Sequence, residues 1–276
     1  MGRPGYRQGP QPVRQGRGSC LMGLIVAGFA IFGYFASSQT NPVTGESQHV
    51  SLSPEQEITL GLQAAPEMAA QHGGEVLTGP EADVVHRVGN LIVHNTVAKN
   101  SPYRFEFHLL ADNQTINAFA LPGGQVFITR ALLGRLETEG QLAGVLGHEV
   151  GHVIERHGAQ QMAKQQLSQG LSTAVAAASD NPNSAVLAQA VGQMLNMKYG
   201  REDELESDRW GVRLTAEAGY DPRAMIGVMQ ILEKATGGSR QPEFMSTHPN
   251  PGNRIEKIED EIKAQFPEGL PPGLRP

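Results

Sequence analysis

The stretch His148-Glu149-Val150-Gly151-His152 constrains this chain more than any other. Residues four apart fall on one face of a helix, about 6 Å from each other, so two imidazoles there can share one metal ion at bonds of about 2.0–2.1 Å. Glu149 is offset by one position and points beside the ion. A carboxylate placed there can take a proton from a water whose pKa the ion has lowered to about 7. The helix itself is well signalled. Thr138 can cap its start with Gln141 three residues on, and Leu142, Val145, Leu146, Val150 and Val153 recur on one side. Gly140, Gly144, Gly147 and Gly151 form a single stripe, although each glycine costs about 1 kcal/mol of helix propensity relative to alanine. The stripe predicts a seat for a closely packed helix or strand that carries the rest of the site. The pattern as a whole predicts a zinc centre with the layout of a hydrolase.

Composition bounds the setting. With 276 residues, 39% of them hydrophobic and 18% charged, the chain can build one good-sized core and a short extra segment. A net charge of −6 and an absence of basic patches in the body argue against a nucleic-acid partner. The single Cys20 excludes an intramolecular disulfide. Residues 1–19 carry Arg3, Arg7, Arg14 and Arg17 without an acid and read as a basic flexible tail. The uncharged apolar run Cys20 to Ala36 follows, about 25 Å of helix against a bilayer core of about 30 Å. This predicts a single signal anchor with the arginines in the cytoplasm and the remainder outside the cytoplasm. The alternative is a cleaved signal peptide, since Ala36 and Ser38 are small.

Residues 37–52 are polar, contain Pro42 and Gly45, and read as a linker that tethers a domain over 53–265. Ser53, Pro54 and Gln56 make the start of a helix reaching about His72, and a second runs from about Glu81 to His94, with His86 and His94 at the surface. Tyr103, Phe105, Phe107 and Leu109 alternate with polar residues as in a half-buried strand. Asn117 to Leu121, the turn Pro122-Gly123-Gly124 and Gln125 to Thr129 predict a hairpin, whose edge could take an extended peptide by strand addition. His157, nine residues past His148 and about 180° round the helix, faces away from it, and Glu155 lies too far along for one ion. The third ligand must therefore come from elsewhere. Two helical pieces are expected over 165–198, broken at Asp180-Asn181-Pro182-Asn183. In the acidic run that follows, Glu204 could reach the metal while Asp208, one turn on, accepts a hydrogen bond from the far nitrogen of a ligand histidine. A last helix carries Ile255, Ile258 and Ile262, and residues 266–276 form a Pro/Gly-rich tail.

Taken together, Asn117-Ala118-Phe119 with Pro122-Gly123-Gly124, the H-E-V-G-H core with Arg156-His157, Glu204 to Asp208, and His248-Pro249 with Arg254-Ile255 resemble one family. It is the zinc metalloendopeptidase family of the CAAX prenyl proteases, the HtpX-like membrane proteases and the periplasmic quality-control proteases. The family usually has alanine where this chain has Ser207. The resemblance implies a mainly helical α+β metalloprotease domain of gluzincin type, in its soluble single-anchor branch. It implies one Zn²⁺ per chain on His148, His152 and Glu204, with Glu149 as general base and Asp208 supporting a ligand. It further implies that His248 and Arg254 act in catalysis, stabilising the oxyanion or binding substrate, and that Asn117, Ala118 and Phe119 bind substrate. In some relatives the histidine matching His248 closes the open zinc position until substrate displaces it. The resemblance also implies a bacterial inner membrane as the place of the anchor, with the catalytic domain in the periplasm, and extended or misfolded polypeptides of the cell envelope as substrates. A rival reading is an envelope chaperone or assembly factor whose zinc is structural or capped.

Overall fold

A computed structural model describes residues 17–177, 199–236, 242–248 and 252–276. Its centre is the helix α5 (Glu139–Ile154), whose residues from Gly140 onward are all buried. Thr138 caps it as expected, its side chain accepting from the Gln141 N–H. The glycine stripe lets α7 (Arg201–Glu217) lie directly on it. A Cβ at Gly151 would meet the Trp210 Cβ at 2.8 Å, and one at Gly147 would just touch the Gly211 backbone oxygen at 3.4 Å. The expected seat is thus filled by the helix that carries Glu204 and Asp208.

On another side of α5 sits a three-stranded sheet of β3 (Glu106–Leu110), β4 (Ala118–Ala120) and β5 (Gln125–Thr129), in the order β3-β5-β4. β5 is wholly buried and pairs parallel to β3 and antiparallel to β4. The expected hairpin is therefore present. Gly123 at its turn has φ +86°, and a Cβ there would fall 2.3 Å from the Ile58 Cα of α2 (Pro54–Gln71), so only glycine lets the turn reach that helix. β3 begins at Glu106 rather than at Tyr103, and ahead of it the Arg104 N–H donates to Gly123 O in the turn. Asn117 O accepts from the Thr129 N–H and the Leu121 N–H donates to Gln125 O, so the alternating ladder turns the peptide groups of Ala118 and Ala120 away from β5. Among the described residues no strand pairs with that outer edge. The capping box of α2 and the helix α3 (Pro80–Asn95) also stand as expected, the latter packing its valines and Ile92 under the sheet.

Both ends of α5 are satisfied by distant parts of the chain. Over residues 37–52, where the sequence suggests a tether, the chain instead folds into a hairpin of β1 (Ser38–Thr40) and β2 (Ser47–His49). Asn41 and Gln48 donate side-chain N–H groups to the carbonyls of Ile154 and Glu155, which the end of a helix leaves unpaired. At the other end Pro276 O accepts from the Gly140 N–H, and Arg275 lies over the Tyr220 ring at 4.0 Å. The Pro/Gly-rich 266–276 segment is docked through these contacts.

α6 (His157–Ala177) begins earlier than the first helical piece expected after 165, and the second expected piece lies outside the described residues. α1 (Arg17–Ala36) packs on α6, the Ala30 methyl seated at Gly170. Its Leu24, Phe29 and Phe32 side chains are about 70% exposed, at 68%, 73% and 71%. Among the described residues no helix is long and apolar enough to cross a membrane. α4 (Arg130–Leu133), α8 (Ala224–Thr236), α9 (Glu243–Thr247) and α10 (Arg254–Gln265) complete the order.

Candidate metal centre

Four buried side chains converge between α5, α7 and α9: His148, His152, Glu204 and His248. The Nε2 atoms of His148 and His152 are 3.1 Å apart, and each lies 3.5 Å from a Glu204 carboxylate oxygen. His248 Nδ1 is 3.0 Å from Glu204 Oε1 and 3.4 Å from His148 Nε2. One donor atom from each of the four lies within 4.8 Å of the others, close enough to share one ion, and two or three imidazoles with a carboxylate are a donor set that suits zinc.

The outer sides of these ligands are held by charge. His148 Nδ1 lies 3.0 Å from Asp208 Oδ1, the contact expected for Asp208. Arg254 grips both oxygens of Asp208 at 2.7 and 2.8 Å and sets its remaining nitrogen 3.1 Å from Glu204 Oε2. Arg254 is thus placed beneath the ligands, 2% exposed, as a brace between two carboxylates. Burial and Arg254 both oppose a charge on His148, yet the carboxylates of Asp208 and Glu204 hold its pKa up at about 9. Burial pushes His152 the other way, well below its ordinary value, helped by the neighbouring His148 and His248.

One expectation is corrected here. α5 stops at Ile154, and Arg156 takes a left-handed conformation with φ +59°, so the chain turns before α6 begins. Arg156 is held there by its buried pairing with Glu57 and by bonds to Gln39 and Leu52 O. The turn brings His157 back toward the site, its Nδ1 2.9 Å from His152 Nδ1, where a continuous helix would have faced it away. Glu155 is indeed no ligand of this centre and binds Trp210 and Gln48. His86 and His94 are likewise outside it.

Glu149 is 1% exposed and neither of its carboxylate oxygens has a hydrogen-bond partner. Its Oε1 lies 3.6 Å from His248 Nε2, and burial pushes its pKa up. The His248 ring stacks on Phe244 at 4.4 Å and the His152 ring on Tyr199 at 4.3 Å. Tyr199 was not singled out by sequence, because a lone tyrosine ahead of an acidic run carries no periodic signal. Asn117, Ala118 and Phe119 sit on or beside β4, alongside α5. Asn117 bonds Thr129 Oγ1 and Glu243, Ala118 is fully buried, and the Phe119 ring stacks on Phe127 at 4.8 Å. The residues just after them, Ala120 to Pro122, line a cavity with His152 and Tyr199. Its volume is about 10 Å³, room for about one water.

Comparison with known proteins agrees with this geometry. The model of Peptidase family M48 matches residues 80–262. A beta-barrel assembly-enhancing protease of Yersinia pestis is 30% identical over 258 residues, covering 90% of this chain and 52% of that protein. The mitochondrial metalloendopeptidase OMA1 of Schizosaccharomyces pombe is 30% identical over 256 residues, covering 91% of this chain and 74% of that protein. The Escherichia coli beta-barrel assembly-enhancing protease is 31% identical over 233 residues, covering 79% and 46%. The chain spans about half the length of the two bacterial relatives and about three quarters of the yeast one. With its metal-ligand cluster and this match over most of its length, the chain belongs to peptidase family M48, the metalloendopeptidases.

Proposed function

We propose that the chain is a zinc-dependent endopeptidase for extended or misfolded polypeptides of the cell envelope, held shut at rest by His248. The observation that carries the proposal is a four-donor cluster with an unpartnered carboxylate, Glu149, beside it. His148, His152 and Glu204 would hold the ion, which supplies Lewis acidity toward water and a carbonyl oxygen. The residues do the rest. β4 offers the outward peptide groups of Ala118 and Ala120 to a substrate backbone, with Asn117 fixing the strand's start and Phe119 its stacked face. Glu149 would take the proton of the attacking water and pass it to the leaving amine, with no hydrogen-bond partner of its own to compete for it. Arg254 keeps Asp208 charged and holds Glu204 in place, while His248 and His148 favour the charged form of Glu204.

His248 would offer a fourth donor beside the other three, and a position taken by protein would leave none for water. That feature also favours the rival, a chaperone or assembly factor with a capped zinc. Glu149 separates the two readings, because burying a carboxylate without a partner is costly and a structural site has no use for it. Opening the site would require His248 to move away from Glu204 and His148. His248→Ala at full zinc occupancy is expected to raise cleavage of an unfolded protein. Undiminished, unraised cleavage would remove the gate, and silence in both proteins would favour the capped binding module.

We place the domain outside the cytoplasm, associated with the membrane through α1, whose exposed Leu24, Phe29 and Phe32 suit a lipid environment.

A further inference from the structure

The two ligand histidines are supported on their outer sides in different ways. His148 Nδ1 meets a carboxylate, which accepts a hydrogen bond whatever its surroundings. His152 Nδ1 meets another imidazole nitrogen, Nδ1 of His157, at 2.9 Å, and the pair can share a hydrogen bond only if one nitrogen carries a proton and the other does not. A histidine that binds metal through Nε2 is neutral and carries its proton on Nδ1. His152 is therefore the donor and His157 Nδ1 the acceptor. The proton of His157 must then sit on Nε2, which lies 3.1 Å from Glu206 Oε2. The buried Ser207 hydroxyl is farther from His157 Nδ1, at 3.3 Å against 2.9 Å, so the single lone pair of that nitrogen serves His152.

We infer that His157 and Glu206 form a positioning relay that fixes the tautomer and ring orientation of His152, and through it the affinity of the centre for zinc. With the opposite tautomer, His157 would point an N–H at the N–H of His152 and drive the ligand off. The inference rests on the reading that His152 binds metal, and it extends the site by two links, to a side chain that is 27% exposed on the surface of α7. The relay needs an acceptor at position 206, and the charge there is secondary.

The test is zinc affinity of the full chain, measured by chelator competition. Glu206→Ala is expected to weaken zinc binding about tenfold, and His157→Asn by about 10–100-fold, the range known for partners of ligand histidines. Glu206→Gln, whose amide oxygen still accepts from His157 Nε2–H, is expected to stay within about twofold of the wild type. The thermal midpoint of the metal-free protein should not move in either Glu206 variant, which separates positioning from a role in the fold. A second readout is ¹⁵N NMR of labelled histidine in the zinc-loaded protein, where the wild type should show His157 protonated on Nε2 and Glu206→Ala should lose that signature. Wild-type zinc affinity in both Glu206→Ala and His157→Asn, with binding abolished in His152→Ala, would overturn the relay alone. Wild-type affinity in His152→Ala would instead overturn the metal reading on which the relay stands.

Discussion

Burial decides what individual residues can do here. Asp208, Glu204 and Arg254 are all inside the protein and are tolerated because each charge meets an opposite one within about 3 Å. His148 is the residue whose proton measures this arrangement. Without metal its pKa is held at about 9, so at neutral pH zinc must displace a proton from it. The sign follows: below about pH 9 a lower pH favours the protonated ring and weakens zinc binding, by up to about tenfold per unit from this group. We expect zinc affinity to rise between pH 6.5 and 8.5, and titration calorimetry in buffers of different ionisation enthalpy to count about one proton released from His148. An affinity flat across that range would contradict the placement of Asp208 and Glu204 around the ring.

At the scale of elements, the site depends on how closely α7 approaches α5. Gly151 permits that approach and Gly147 merely lines it. Gly151→Ala should push against Trp210 and Ser207, cost about 1–3 kcal/mol of stability and weaken zinc binding, because Glu204 rides on the displaced helix. Gly147→Ala should be neutral or stabilising by up to about 1 kcal/mol, through helix propensity alone. Thermal unfolding of the two variants checks this, and an equal loss in both would contradict it. Much of the arrangement was legible in the sequence for the same reason that these substitutions are predictable. Periodicity reports faces, and so it placed His148, Glu149, His152 and the glycine stripe on α5, the capping box on α2 and the β4–β5 hairpin. It also aligned Glu204 with Asp208. The turn at Glu155-Arg156 was not legible, since neither residue is a helix breaker and the left-handed Arg156 is held by Glu57, Gln39 and Leu52, all about a hundred residues earlier. His157 was misplaced with it. Residues 37–52 read as a tether because their polar side chains are used to cap a distant helix, a purpose that no local pattern records.

For the molecule as a whole, the chain folds around one buried helix, with the N-terminal hairpin on one end of it and the 266–276 segment on the other. α1 lies outside that core and packs on α6, which follows the motif helix after the turn at Arg156. If α1 engages lipid, the full chain should float with neutral phospholipid vesicles in a density gradient and a chain lacking residues 1–36 should remain at the bottom. Equal behaviour of the two would contradict membrane association through α1. The account's central claim is that Glu149 performs chemistry beside a zinc ion held by His148, His152 and Glu204. The most direct measurement is cleavage of casein by the zinc-loaded full chain in a His248→Ala background, beside the same protein carrying Glu149→Gln at equal zinc content. The account predicts cleavage in the first and a loss of at least about a hundredfold in the second, with zinc retained in both. Equal cleavage by the two would contradict it.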